Sequence, residues 1–210
     1  MNTDDLIRAL AADDIAEPTT GRRAVAALPA CVLATAALFY AFAGLRPDLA
    51  TFAVMEGTVA KLAVTLSLAL VSGALALHFA RPGARSAALV LLLVPAAVLL
   101  ALLGVELHMA GLADWRQRLF GSTSSTCSIL ITLLSIPQLA AILFALASGA
   151  ADRPKTAGAV AGLAAAGVGA SVYALHCPED SVLFLLAWYG LASAVMAAFG
   201  AALAPRVVRW

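Results

Sequence analysis

After residue 23 the chain runs as six long apolar stretches separated by short polar gaps, at 24–45, 59–80, 86–105, 127–147, 156–175 and 182–204. Each has roughly the 20 apolar residues that a helix needs to cross a bilayer. The pattern predicts an all-α fold, a polytopic membrane bundle of six transmembrane helices. Residues 1–23 form an N-terminal segment, 24–204 the transmembrane domain and 205–210 a tail. Pro95 and Pro137 fall inside the third and fourth stretches and predict kinks, with Gln138 placed to help recover a lost backbone bond. Gly158 and Gly162 stand at GxxxG spacing in the fifth stretch, followed by Gly167 and Gly169, which predicts close helix packing. The halves show no repeat, although three hairpins in series describe the order well.

Composition agrees: 63% of residues are hydrophobic and 12% charged, far from a soluble domain. The placement of basic residues sets an orientation. Arg8, Arg22, Arg23, Arg81, Arg85, Arg153, Lys155, Arg206 and Arg209 fall on one side, and Arg46, Lys61, Arg116 and Arg118 on the other. Nine against four predicts that both termini are cytoplasmic, by the positive-inside rule. Segments 46–58, 106–126 and 176–181 then face outward. Asp4, Asp5, Asp13, Asp14 and Glu17 occupy the place of a basic n-region, so the first stretch reads as an anchor and not a cleaved signal peptide.

The stretch 1–17 is acidic, with Arg8 its only basic side chain. Such a segment points away from direct nucleic-acid binding. It can form a short helix, with Thr3 as N-cap and Asp4 and Asp5 in the first turn, where carboxylates favour the macrodipole. Leu6, Ile7 and Leu10 fall on one face and Pro18 ends the run. So short a helix is marginal alone in water. Its apolar stripe calls for a partner groove or the lipid surface, and a frayed tail is the plain alternative.

No ionisable residue falls near the middle of a span, which argues against coupled transport and proton relays. Glu56, Lys61 and Glu106 lie only near outer ends. His78 reads as an interfacial residue near the inner end of the second span. Trp115, Trp188, Tyr189 and Trp210 fit aromatic belts.

Chemistry gathers at the outer face. Cys31 lies within the first span among small apolar residues and reads as packing. Cys127 opens the fourth span, and Cys177 lies just past the fifth in His176-Cys177-Pro178-Glu179-Asp180. The two spans share a tight inner loop, so they are antiparallel neighbours with axes about 8–10 Å apart. Nearly equal residue counts from that loop bring both thiols to one height. A disulfide is within reach of that layout. Glu106, His108, Met109, His176, Glu179 and Asp180 add further ligand types. Two thiolates with histidine or methionine suit a soft or borderline ion such as copper or zinc. A structural disulfide and two unpaired interfacial cysteines are the plainer readings.

Five features coincide along the chain: Thr3-Asp4-Asp5-Leu6-Ile7-Arg8-Ala9-Leu10, the six spans, Cys127 at the head of the fourth, His176-Cys177-Pro178, and Phe184 with Trp188-Tyr189-Gly190. On these features the whole chain resembles the NrsF-type anti-sigma factors of Gram-negative bacteria. Those are six-span inner-membrane proteins that hold down an extracytoplasmic-function (ECF) sigma factor of the SigF type. The resemblance implies that residues Asp4, Asp5, Leu6, Ile7, Arg8 and Leu10 bind a cytoplasmic ECF sigma factor. It also implies that Cys127 and Cys177 are the paired periplasmic cysteines that trigger release under metal or oxidative stress. Cys31 matches no motif of that family. The implied protein is a sensor and transmitter, not an enzyme.

Energy permits such a switch. Inverting a two-state population from 1:99 to 99:1 takes about 5.5 kcal/mol. Metal binding to zinc-finger thiolate sites reaches about 10–16 kcal/mol, whereas a disulfide supplies about 2–4 kcal/mol. The comparison favours a metal, with redox close behind. A quinone-linked membrane thiol oxidoreductase is a competing class, but it needs a second cysteine pair or another carrier, and Cys31 is alone in the membrane. A small transporter or assembly factor is the other.

Overall fold

A computed structural model describes residues 2–5, 7, 20–46, 56–110 and 114–208. Among these residues there is no strand, and six helices are long and apolar enough to span a membrane. In chain order the helices are α1 (Thr20–Ala43), α2 (Glu56–Phe79), α3 (Leu93–Ala110), the short α4 (Trp115–Phe120), α5 (Ser124–Leu146), α6 (Pro154–Ala174) and α7 (Val182–Val207). A 3₁₀ stretch, Ser86–Leu92, leads into α3, and α7 carries one π-helical stretch at Leu185–Tyr189. The long helices match the apolar runs to within a few residues at each end, with the third run opening in the 3₁₀ stretch that precedes α3.

Helix α6 lies at the centre, packed on α7, α2 and α5. Its small residues explain why. Gly158 and Gly162 press against the backbone of Gly200 and Met196 on α7, leaving no room for a β-carbon. Gly167 meets Ala69 of α2 in the same way, where an added β-carbon would stand 2.6 Å from the Ala69 nitrogen. Helices in lipid gain little from apolar burial, so close backbone approach and cross-helix hydrogen bonds supply the attraction. Ser171 donates to Thr65 at 2.9 Å, and Ser128 to the Trp188 carbonyl at 3.1 Å. The outer members are different. Almost none of the apolar window of α1 or of α3 is buried; α1 packs chiefly on α5, and α3 on α2.

Three sequence expectations need correction. Gln138, beside Pro137, is fully buried, and among the described residues neither amide atom is hydrogen-bonded, so it does not replace the bond that the proline removes. Pro95 lies in the first turn of α3, just after the change from 3₁₀ to α geometry. There its missing N–H costs little. At the N-terminus Thr3 is already helical, and Asn2 caps it: the Asn2 side-chain oxygen accepts from Thr3 N and its carbonyl from Asp5 N, both at 3.0 Å.

Buried side chains form two clusters. One gathers Leu75, Phe79, Leu146 and Ala161 toward the α5–α6 turn. The other gathers Ile131, Tyr173, Phe184 and Tyr189 around Cys127 and Cys177.

Candidate sensory site

Cys127 sits in the first turn of α5, and Cys177 in the 175–181 segment that joins α6 to α7. Both are fully buried free thiols, and their sulfurs lie 3.7 Å apart. The Tyr173 hydroxyl, from the last turn of α6, is 2.9 Å from Cys127 Sγ, and the Thr123 hydroxyl is 3.3 Å away. Tyr189 joins the same cluster from α7, its ring centroid 6.2 Å from that of Tyr173. Its hydroxyl is buried beside the Cys177 thiol, with no hydrogen bond of ordinary geometry among the described residues. Tyr189 closes the π-helical stretch, a local widening that often marks functional positions. The neighbouring Trp188 is fixed by donation from its indole nitrogen to the Leu119 carbonyl at 2.7 Å.

The segment bearing Cys177 is held by charge. Lys61, one turn into α2, has an almost wholly buried side chain. Its ammonium donates to the Cys177 carbonyl at 3.0 Å and the Glu179 carbonyl at 2.9 Å, and pairs with Asp180 at 2.8 Å. Arg46, just past α1, donates to the same Cys177 carbonyl and to both Asp180 oxygens, each at 3.3 Å. Gly57 makes the approach possible, since a β-carbon there would lie 2.6 Å from Asp180 Cβ. Three partners satisfy all three donors of the ammonium. That is the condition under which a buried charge is tolerated.

These groups also act on the thiol chemistry. The Cys177 thiol is lowered below the ordinary thiol range, first by its hydrogen bond with Cys127. Burial works against this, and the Lys61 ammonium lowers the thiol further. A proton shared between two touching sulfurs and a nearby cation together favour one thiolate and one thiol.

The family model described as "Negative regulator of sigma F" matches residues 9–210. The chain belongs to the NrsF family. It is 34% identical to the probable anti-sigma-F factor NrsF of Azospira oryzae over 218 aligned positions, and 35% identical to the anti-sigma-F factor NrsF of Caulobacter vibrioides over 217. In each case the whole of both chains is covered. No solved structure matches.

Of the residues singled out from the sequence of this NrsF-family chain, the structure brings Cys127 and Cys177 into contact and engages Glu106, Glu179 and His176 elsewhere. Glu106 accepts from Ser181 Oγ at 2.8 Å and Val182 N at 2.5 Å, so it caps the N-terminus of α7, and it pairs with Arg118 at 3.7 Å. Glu179 accepts from the Ser122 amide and hydroxyl, both at 2.7 Å. His176 Nδ1 is 3.0 Å from the Gly44 carbonyl. His108 and Met109 are exposed at the end of α3. Asp4, Asp5 and Ile7 are helical and exposed, while Leu6, Arg8 and Leu10 lie outside the described residues. Cys31 is half-buried within α1.

Lys61, Arg46, Tyr173 and Tyr189 were not singled out as site residues, whereas Asp180 was read as a possible ligand and instead pairs with Lys61 and Arg46. A signal existed for Lys61, because an ionisable residue that enters an apolar helix by a full turn usually has a fixed partner.

The arrangement suits two-thiol chemistry. Among the described residues no group of three or more His, Cys, Asp or Glu side chains is placed to hold a metal ion. The donor set fits a soft ion held by two thiolates better than a zinc ion, which asks for four ligands in a structural site.

Proposed function

We propose that this chain is a membrane-embedded anti-sigma factor that holds an ECF sigma factor through its N-terminal segment. In this reading both termini are cytoplasmic, in the inner membrane, and the Cys127–Cys177 pair faces the periplasm. Residues Asp4, Asp5, Leu6, Ile7, Arg8 and Leu10 capture the sigma factor. Oxidation of the thiols, or their capture of a thiophilic metal, releases it.

The contact between Cys127 and Cys177 is the observation that carries this reading. Two free thiols 3.7 Å apart, fully buried on neighbouring elements, need only a small movement to bond. Oxidation removes two protons and two electrons, and both pass to the oxidant. Metal capture instead releases protons as the thiols become thiolates. The sulfur contact and the two-donor set give more support to oxidation than residue spacing alone did. A copper ion held by both thiolates is the second version.

A reporter driven by the sigma factor tests the reading. Cys127→Ser and Cys177→Ser should each lock the protein in the repressing state, and the double variant should match either single one, because a two-partner device is lost with one partner. Normal induction in both single variants would defeat it.

A further inference from the structure

We infer that the signal leaves the thiol pair through α1, along a polar tie between its outer end and the Cys177 segment. The inference rests on the reading above, in which the thiols sense and the N-terminal segment holds the sigma factor.

The tie has several strands. His176 Nδ1 lies 3.0 Å from the Gly44 carbonyl, and Arg46 N donates to the Leu175 carbonyl at 3.4 Å. The Arg46 guanidinium bonds the Cys177 carbonyl and Asp180. One turn down α1, the Tyr40 hydroxyl donates to the Val172 carbonyl at 2.5 Å. The residues on both sides of Cys177 are therefore bonded to the last turn of α1 and the three residues after it.

Packing decides which helix responds. Helices α2, α5, α6 and α7 interlock around the glycines of α6 and form a block. Lys61 fastens the Cys177 segment to that block through α2. Helix α1 has few fully buried residues; it packs chiefly on α5, with one half-buried face that includes Val32, Ala36 and Phe39. Closing the sulfurs from 3.7 Å to a bonded distance near 2.05 Å takes up about 1.7 Å. A packed block resists such a displacement, whereas the outer end of α1 is bonded to the moving segment through His176 and Arg46 and touches the block there through Phe39 and Tyr40. The other end of α1 is joined by the chain to the N-terminal segment.

The test uses full-length protein with the sigma factor bound, in a Cys31→Ser background, and diamide as the oxidant. Diamide takes two electrons and two protons from a thiol pair and becomes the hydrazine. In the parent protein the disulfide should form and the sigma factor should leave. Arg46→Gln with Asp180→Asn removes the charged tie and keeps both thiols. It should form the disulfide to the same extent yet release at least tenfold less sigma factor per disulfide. Equal release would overturn the inference. A parent protein that oxidises without release would overturn the functional reading beneath it, a distinguishable result. Hydrogen exchange on the parent protein reads the same route should the double variant fail to fold. Exchange across 26–46 should change on oxidation, and an unchanged α1 would overturn the inference equally.

Discussion

The buried ammonium of Lys61 bonds the carbonyl of Cys177 at 3.0 Å, across 116 positions of sequence. This contact fixes the position of a thiol without touching its sulfur. It also leaves a cation close enough to favour the thiolate. Removing one partner of a buried charge cluster costs about 3–5 kcal/mol, and Arg46 remains to pair with Asp180. Lys61→Met should therefore lower stability toward the lower end of that range, read as thermal unfolding in detergent. Asp180→Asn should cost at least as much, because it takes the carboxylate from both Lys61 and Arg46.

The α6–α7 contact gives a second prediction. Gly162 meets the Met196 backbone with no space for a side chain. Gly162→Leu should split the helix pair and sharply reduce the folded protein in membranes. Gly104→Leu, where nothing lies within 4 Å, should not. Immunoblots of membrane fractions, with resistance to protease, check the pair.

Cys177 supplies a pH test. Its pKa is lowered chiefly by the bond to Cys127, so its thiolate survives below the ordinary thiol value of about 8.5. Cys127→Ala removes that bond, and the pKa should move back up. The pH midpoint of Cys177 thiolate formation, read by ultraviolet absorbance of the thiolate in a Cys31→Ser background, should therefore rise relative to the parent protein. Reactivity of the thiolate is lost as the pH falls through the midpoint in both proteins.

The six spans were legible in the chain because apolar length is a direct physical requirement of the bilayer. The GxxxG spacing of Gly158 and Gly162 was legible for the same reason: only small residues permit backbones to touch. The shared height of Cys127 and Cys177 followed from helix rise. The ties around them did not. Lys61 and Asp180 lie 119 positions apart (180 − 61), and no local pattern signals that a cation on one helix will meet a carbonyl between two others. Glu106 and Glu179 look like metal ligands in a string of letters. In space each is spent on backbone amides, one of them capping α7. The π-helical stretch at Leu185–Tyr189 likewise leaves no trace in residue type.

Orientation is tested with introduced cysteines, since both native thiols are buried. With an impermeant maleimide on intact spheroplasts, Arg116→Cys should label and Arg153→Cys should not until the membrane is opened. Both positions are exposed. The opposite pattern would invert the arrangement of the termini.

Capture is tested at the N-terminus. Replacing Leu6, Ile7 and Leu10 together with Asp should abolish binding of the sigma factor while leaving the protein in the membrane. Full repression by that triple variant would remove the segment from the binding role.

The most direct measurement is made on the purified complex with its sigma factor: free thiols, bound metal and retained sigma factor are counted before and after exposure to oxidant or copper. The account predicts that sigma factor leaves in proportion to the loss of the two free thiols of Cys127 and Cys177, or to the uptake of one ion by them. Release while both thiols stay free and no metal is bound would contradict it.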